Sequence, residues 1–275
     1  MRIHAITTGT VRVHERQRRG VGPGPLRLLA TLADRSWTAP LPIHAWLIEH
    51  PEGLILVDTG DTARALTPGW FTSWNPYFKL AVRLDLTRED EVDRRLAALG
   101  FSASDVKTVV MTHLHTDHAG GLSHFPESDV VISAREYADS IGFKGKVNGY
   151  LPQHHPEWLD PMLVTFTDGA HGPFDKAQRL TTSGDVMLVP TPGHTPGHMS
   201  VIVEDEDTSI FLAGDASYIE AAMLAGEADG VTRSVGTAAD TLRRIREMTA
   251  SRPTVYLPSH DPESANRLAQ RTALS

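Results

Sequence analysis

The 275-residue chain contains no cysteine. That absence excludes a disulfide scaffold, thiol nucleophiles and thiolate metal ligands together, and it suits a reducing compartment. Long apolar runs are missing as well. The opening Met1-Arg2-Ile3-His4-Ala5-Ile6-Thr7-Thr8-Gly9 lacks the apolar core, about 7–15 residues, of a secretory signal. No window approaches the ~18 apolar residues of a membrane span. The expectation is a soluble cytoplasmic protein with no membrane partner. Positive charge is in deficit: 26 Lys and Arg against 34 Asp and Glu leave a formal −8. Such a chain has no global field for polyanions, so no nucleic-acid partner is expected. A Gly-x-Gly-x-x-Gly after a first strand and a Walker loop are also absent, which removes the common nucleotide-binding fingerprints.

Histidine, by contrast, is abundant, with 14 residues. Hydrophobic residues make up 40% and charged residues 22% of the chain, enough to bury a sizeable core. No repeat or long linker divides the chain, so a single domain over 1–275 is expected. Residues 15–25, basic and rich in Gly and Pro, read as a loop. Ile43–Glu49 and Leu54–Asp58 flank His50-Pro51-Glu52-Gly53 as a hairpin. Thr87-Arg88-Glu89-Asp90 resembles a capping box opening a helix with Val92, Leu96 and Leu99 on one face. Asp105–Thr112 and Val130–Ser133 read as strands, the latter followed by a short helix from Ala134. Val186–Val189, Met199–Val203, Ser209–Ala213 and Thr254–Leu257 continue the strand pattern, with helices at Thr237–Met248 and Pro262–Ala273. Strands in each half with helices between them predict an α/β sandwich rather than one doubly wound sheet.

The most informative run is Thr112-His113-Leu114-His115-Thr116-Asp117-His118-Ala119-Gly120-Gly121, directly after the Val109-Val110-Met111 strand. His113 and His115 can point the same way from extended backbone. Asp117 and His118 follow where the chain must turn. Imidazole and carboxylate without thiolate suit Zn, Mn, Fe or Co. An isolated His is usually a surface or satisfied core residue, but four metal-capable side chains within six positions are hard to explain that way. Three further segments end strands in the same manner: Thr191–His198, Gly214-Asp215 and Ser259-His260-Asp261.

With these segments in order, and with Asp58 in Leu56-Val57-Asp58-Thr59-Gly60, nearly the whole chain resembles the metallo-β-lactamase superfamily. The resemblance implies a four-layer αβ/βα sandwich of two mixed sheets with outer helices, carrying a binuclear metal site. It implies that His113, His115 and His194 bind one divalent ion and that Asp117, His118 and His260 bind a second. Asp215 would bridge them, and Asp58 would help order the site. Zinc is the first expectation for both ions, with manganese, iron or cobalt as alternatives. Two ions leave this donor set and a bridging hydroxide net positive, whereas one would leave it net negative, and a positive site suits a Lewis acid. The other nine, His4, His14, His44, His50, His124, His154, His155, His171 and His198, match no motif position and are expected to be structural.

Two-metal chemistry serves lactones, thioesters, lactams and phosphoesters alike. The run Ala213-Gly214-Asp215-Ala216-Ser217-Tyr218 is similar to the N-acyl homoserine lactone lactonases, the quorum-quenching members, in which a tyrosine three residues after the bridging Asp lies beside the metals. That likeness implies a small-molecule lactone substrate, ring opening by a metal-bridging hydroxide, Tyr218 as a hydrogen-bond donor to substrate oxygen and Asp117 as a proton shuttle. The runner-up is a glyoxalase II-like thioesterase or another broad lactonase or esterase of the same fold. The tail offers only Arg267 and Arg271 for glutathione carboxylates. Many relatives carry an aromatic residue where Thr116 stands here. The aromatic segment Gly69–Phe78 can be core, line an acyl-chain pocket or form a homodimer contact.

Overall fold

The computed structural model describes every residue except Pro25, Trp74 and Ser275. Two compact units account for it, one made of Met1–His14 with Trp37–Leu163 and the other of Glu15–Ser36 with Val164–Ser275. Among the described residues no helix is long and apolar enough to cross a membrane.

The first unit is built on a seven-stranded mixed sheet. Its strands in chain order are β1 (Arg2–Val13), β2 (Leu41–His50), β3 (Gly53–Val57), β4 (Val82–Asp85), β5 (Val106–Met111), β6 (Asp129–Ser133) and β7 (Met162–Val164). Their order across the sheet is β4-β1-β2-β3-β5-β6-β7. The expected hairpin joins β2 to β3, with Trp46 opposite Val57 and His50 opposite Gly53. β3, β5 and β6 run parallel. Val109, Val110 and Met111 are wholly buried, which is why β5 is a continuous apolar run rather than an alternating one. Val92 and Leu96, from the helix Val92–Ala98, pack with Ile6, Leu47, Leu56 and Val109.

The second unit holds β8 (Gln178–Arg179), β9 (Val186–Pro190), β10 (Met199–Asp205), β11 (Thr208–Gly214) and β12 (Thr254–Pro258). They form a five-stranded sheet in the order β12-β11-β10-β9-β8, with β11 and β12 parallel and the other pairs antiparallel. The helix Val235–Ser251 lays Leu242, Ile245 and Met248, three residues apart, against Val189, Ile202, Phe211 and Tyr256.

Three local expectations need correction. Residues 15–25 are not all loop: Glu15–Arg18 is a short helix, clipped by an Arg18–Glu15 ion pair at 2.7 Å and anchored by the buried Gln17. The helix expected from Thr87 breaks after a 3-10 turn at Arg88–Asp90. Glu91 is extended there because its buried carboxylate turns to accept hydrogen bonds from Thr62 and the Ala63 N–H at 3.2 and 3.0 Å. The closing helix spans only Ser264–Gln270, since Arg271 adopts a left-handed conformation and Leu274 returns to pair with Thr254. Of the aromatic segment, Trp70 packs with Ala65, Leu151, Phe71 and Phe78 as a small core, while Trp74 lies outside the described residues.

Candidate metal centre

In the first unit every motif residue sits at the C-terminal end of a parallel strand, where backbone leaves the sheet and side chains are free to converge. β3 ends into Asp58, which is fully buried and has φ of 60°, a conformation rare outside glycine. Its N–H donates to the Val110 carbonyl at 2.8 Å, so β3 fixes the residue against β5. Asp58 accepts the Thr112 N–H and the Thr112 hydroxyl, each at 2.8 Å, and His118 Nδ1–H, also at 2.8 Å. The Thr112 hydroxyl proton is therefore committed to the carboxylate. Thr112 Oγ1 can then only accept from His113 Nδ1, 3.1 Å away. Both imidazoles thus carry a proton on Nδ1, assigned by the network, which directs Nε2 away from Asp58 and Thr112. One buried carboxylate orients two histidines.

The His113 ring centroid lies 4.0 Å from that of His118 and 4.8 Å from that of His115. His113 and His118 are fully buried, and His115 caps the Thr116–Ala119 helix that carries Asp117 and His118. Close by, burial together with the charge of Asp117 pushes the Asp61 carboxyl up to about 7. Asp61 also accepts the Thr116 hydroxyl at 3.2 Å, so Thr116 is tied to this carboxylate. A cleft beside the ligand loop is lined by Leu114, Thr116, Trp70, Leu151, Arg64 and His154, among others.

In the second unit β9, β11 and β12 deliver His194, Asp215 and His260, all buried. The turn after β9 needs Gly193, whose φ is 152° and whose missing Cβ would fall 2.6 Å from Ala238. The Ser259 N–H donates to the Gly214 carbonyl at 3.1 Å, which ties the ends of β11 and β12 together. Asp215 Oδ2 lies 3.6 Å from His194 Nε2, and Asp215 Oδ1 lies 3.4 Å from His260 Nε2. Each carboxylate oxygen therefore faces one imidazole.

His194 Nδ1–H donates to Asp229 at 3.0 Å, and Asp229 is itself held by the Val231 N–H and the Thr232 hydroxyl, both at 2.8 Å. Asp229 is a functional candidate that sequence reasoning missed. An Asp-Gly pair in a loop reads as a turn, and nothing local ties it to a histidine 35 positions away. His198 plays a different part. Its Nε2 accepts the Asp215 N–H at 3.0 Å, and its Nδ1–H donates to Thr191 at 2.8 Å, so it pins the backbone of Asp215. The Tyr218 ring stacks on His260 with centroids 5.2 Å apart and meets the His194 ring edge-on at 6.4 Å. Gln17 Nε2 donates to its hydroxyl at 3.0 Å.

Most of the other histidines have visible structural work. His4 bonds Glu49, His44 bonds Thr7, His124 bonds Glu91 and His171 bonds Glu204, at 2.6, 3.1, 2.8 and 2.9 Å. His50 Nδ1 accepts the Glu52 N–H at 3.1 Å. His14 packs edge-on against Trp37, and His154 stacks on Trp70 at 3.6 Å. Burial pushes His155 down to about 4, which leaves it neutral near pH 7.

A fold of two mixed sheets whose strand ends gather histidines and aspartates defines a class. The Metallo-beta-lactamase superfamily model matches residues 38–260, and the chain belongs to that superfamily. Among its relatives, an N-acyl homoserine lactonase of Bacillus sp is 28% identical over 231 residues, covering 81% of this chain and 82% of the relative. A Mycobacterium tuberculosis protein described as "Probable metallo-hydrolase" is 34% identical over 185 residues, which is 64% of this chain. The match spans only 56% of that relative's own length. A crystal structure of a Bacillus thuringiensis AiiA variant with N-decanoyl-L-homoserine at its active site superposes with a TM-score of 0.76. It has 24% identity and covers 96% of this chain and 94% of that one. The dizinc quorum-quenching lactonase AidC superposes at 0.64 with 18% identity, covering 94% and 87% of the two chains. At those identities the two superpositions establish the fold.

Proposed function

We propose that the chain is a metal-dependent hydrolase that opens the ring of N-acyl homoserine lactones. In this reading the two units act as one domain. His113, His115 and His194 would hold one divalent ion, Asp117, His118 and His260 would hold a second, and Asp215 would serve both. The donor set fits a divalent cation on chemical grounds. His194 Nδ1–H donates to Asp229, which turns Nε2 toward Asp215 Oδ2 at 3.6 Å, and His260 Nε2 faces Asp215 Oδ1 at 3.4 Å. Imidazole nitrogens and carboxylate oxygens brought this close together are the donors a divalent cation takes. The absence of thiolate makes the set hard enough for zinc, manganese, iron or cobalt.

When bound, two such ions supply Lewis acidity and a water of lowered pKa. The protein's own residues do the rest. Tyr218 donates its phenolic hydrogen to the substrate oxygen that gains charge, either the lactone carbonyl or the departing ring alkoxide. Asp117, only half-buried, carries the proton from the attacking water to that alkoxide. The cleft along Leu114, Thr116 and Trp70 receives the acyl chain.

The observation that carries the lactone reading over a thioester one is Tyr218, stacked on His260 next to Asp215. Purified protein of known metal content should be offered short-, medium- and long-chain acyl homoserine lactones, a simple aliphatic lactone, S-lactoylglutathione, a chromogenic β-lactam and a phosphotriester. Turnover is expected on the homoserine lactones. Turnover of the thioester alone would overturn the proposal. The Asp229→Asn variant, which keeps one of the two acceptor oxygens and loses the charge behind His194, is expected to weaken metal affinity by about 10–100-fold in chelator competition. Unchanged affinity would remove Asp229 from the centre.

A further inference from the structure

We propose that Gln17 is the residue that positions Tyr218 for proton donation. The inference rests on the reading of Tyr218 given above. Gln17 lies in the Glu15–Arg18 helix among Arg16, Arg18 and Arg19, yet only 2% of its surface is exposed. Its Nε2 donates to the phenolic oxygen of Tyr218 at 3.0 Å across 201 positions of sequence. A phenol that accepts on one side directs its single O–H to the other. Gln17 thereby sets the direction in which the Tyr218 hydroxyl points. As Tyr218 shares its proton with the substrate, negative charge grows on the phenolic oxygen. The Gln17 N–H is already aimed at that atom, so it stabilises the transition state more than the ground state.

Two further observations favour this role over a packing role. The Gln17 Oε1 atom is buried with no hydrogen-bond partner among the described residues. A half-satisfied buried amide is a poor choice for packing alone and is the kind of exception that function explains. The helix is also held very firmly. The Gly230 N–H donates to the Gln17 carbonyl at 2.7 Å, and a Cβ on Gly230 would lie 2.1 Å from the Arg16 carbonyl oxygen. Arg19 grips Glu227 through two bonds of 2.9 Å, and Arg27 bonds the Ala228 and Asp229 carbonyls at 2.9 and 2.8 Å. The segment that aims Tyr218 is therefore braced against the loop whose Asp229 orients His194.

The test uses metal-loaded full-length protein and N-hexanoyl-L-homoserine lactone, comparing Gln17→Met, Gln17→Leu, Tyr218→Phe and the Gln17→Met/Tyr218→Phe double variant. Gln17→Met is close to isosteric but has no N–H, and Gln17→Leu has none either and buries no charge. Each is expected to lower kcat about tenfold, the worth of one hydrogen bond, with KM, Tm and metal content unchanged. In the Tyr218→Phe background Gln17→Met should cost nothing further. Independently of turnover, the Tyr218 Cζ carbon signal of labelled protein, assigned by its loss in Tyr218→Phe, should move in Gln17→Met. The proposal is overturned if kcat holds in both Gln17 variants while Tyr218→Phe falls, if Gln17→Met is equally damaging without the phenol, or if the carbon signal stays in place. Should Gln17→Met lower Tm, the Gln17→Leu protein carries the comparison. An unchanged Tyr218→Phe would instead reject the role of the tyrosine itself.

Discussion

Replacing His113 by Ala is expected to strip the protein of bound metal and to lower turnover by well over the roughly 10–100-fold seen when only a partner of a ligand is lost. His113 is fully buried, with its Nδ1 committed to the Thr112–Asp58 chain and its Nε2 directed away from it. Alanine leaves a buried gap beside His118 and the Asp58 network, and His118 cannot move in, because it is itself fastened to Asp58 at 2.8 Å. Elemental analysis after exhaustive dialysis should find fewer metal equivalents than in the parent protein. Thermal melts of both proteins in chelator separate this from unfolding, since the metal-free pair should melt at similar temperatures. Full occupancy in the variant would reject His113 as a ligand and, with it, the arrangement built around it.

Tyr218→Phe is expected to keep its metal and lose about 10²–10³-fold in kcat, the usual consequence of deleting one preorganised donor to a developing oxyanion. The phenyl ring would still stack on His260 and stay buried, so packing changes little. The deletion does leave the Gln17 N–H without its acceptor, which costs some stability, about 1–3 kcal/mol. Turnover and metal content should therefore part company: the first collapses and the second holds. Parent-like rates on homoserine lactones would sink the assignment of Tyr218 as a donor. The outcome also bears on substrate class, because the proposed lactone reading rests on this tyrosine.

How much could be read without coordinates varies with sequence separation. The His113–His118 run was legible because four donors lie on one short turn after one apolar strand, so local geometry alone brings them near each other. Asp58 was legible as part of a motif, but its act of orienting both His118 and, through Thr112, His113 depends on β3 lying parallel to β5. The helix at Glu15–Arg18 was misread as loop, since four residues have no periodicity to show and their order comes from contacts with residues 227–230. Glu91 interrupted a well-marked helix for a similar reason, a pair of hydrogen bonds to residues 62 and 63.

The absence of cysteine and the histidine motif together determined that any metal centre here is built of imidazole and carboxylate, and they marked the strand ends at which it is proposed. Those are properties of residue type and short spacing. What only the tertiary structure decided is the set of partners behind those residues: Asp229 behind His194, His198 beneath Asp215, Gln17 behind Tyr218. Hydrogen-bond partners are chosen by proximity in space, and residues 17 and 218 meet only once the chain has folded. No spacing rule in one dimension encodes that meeting.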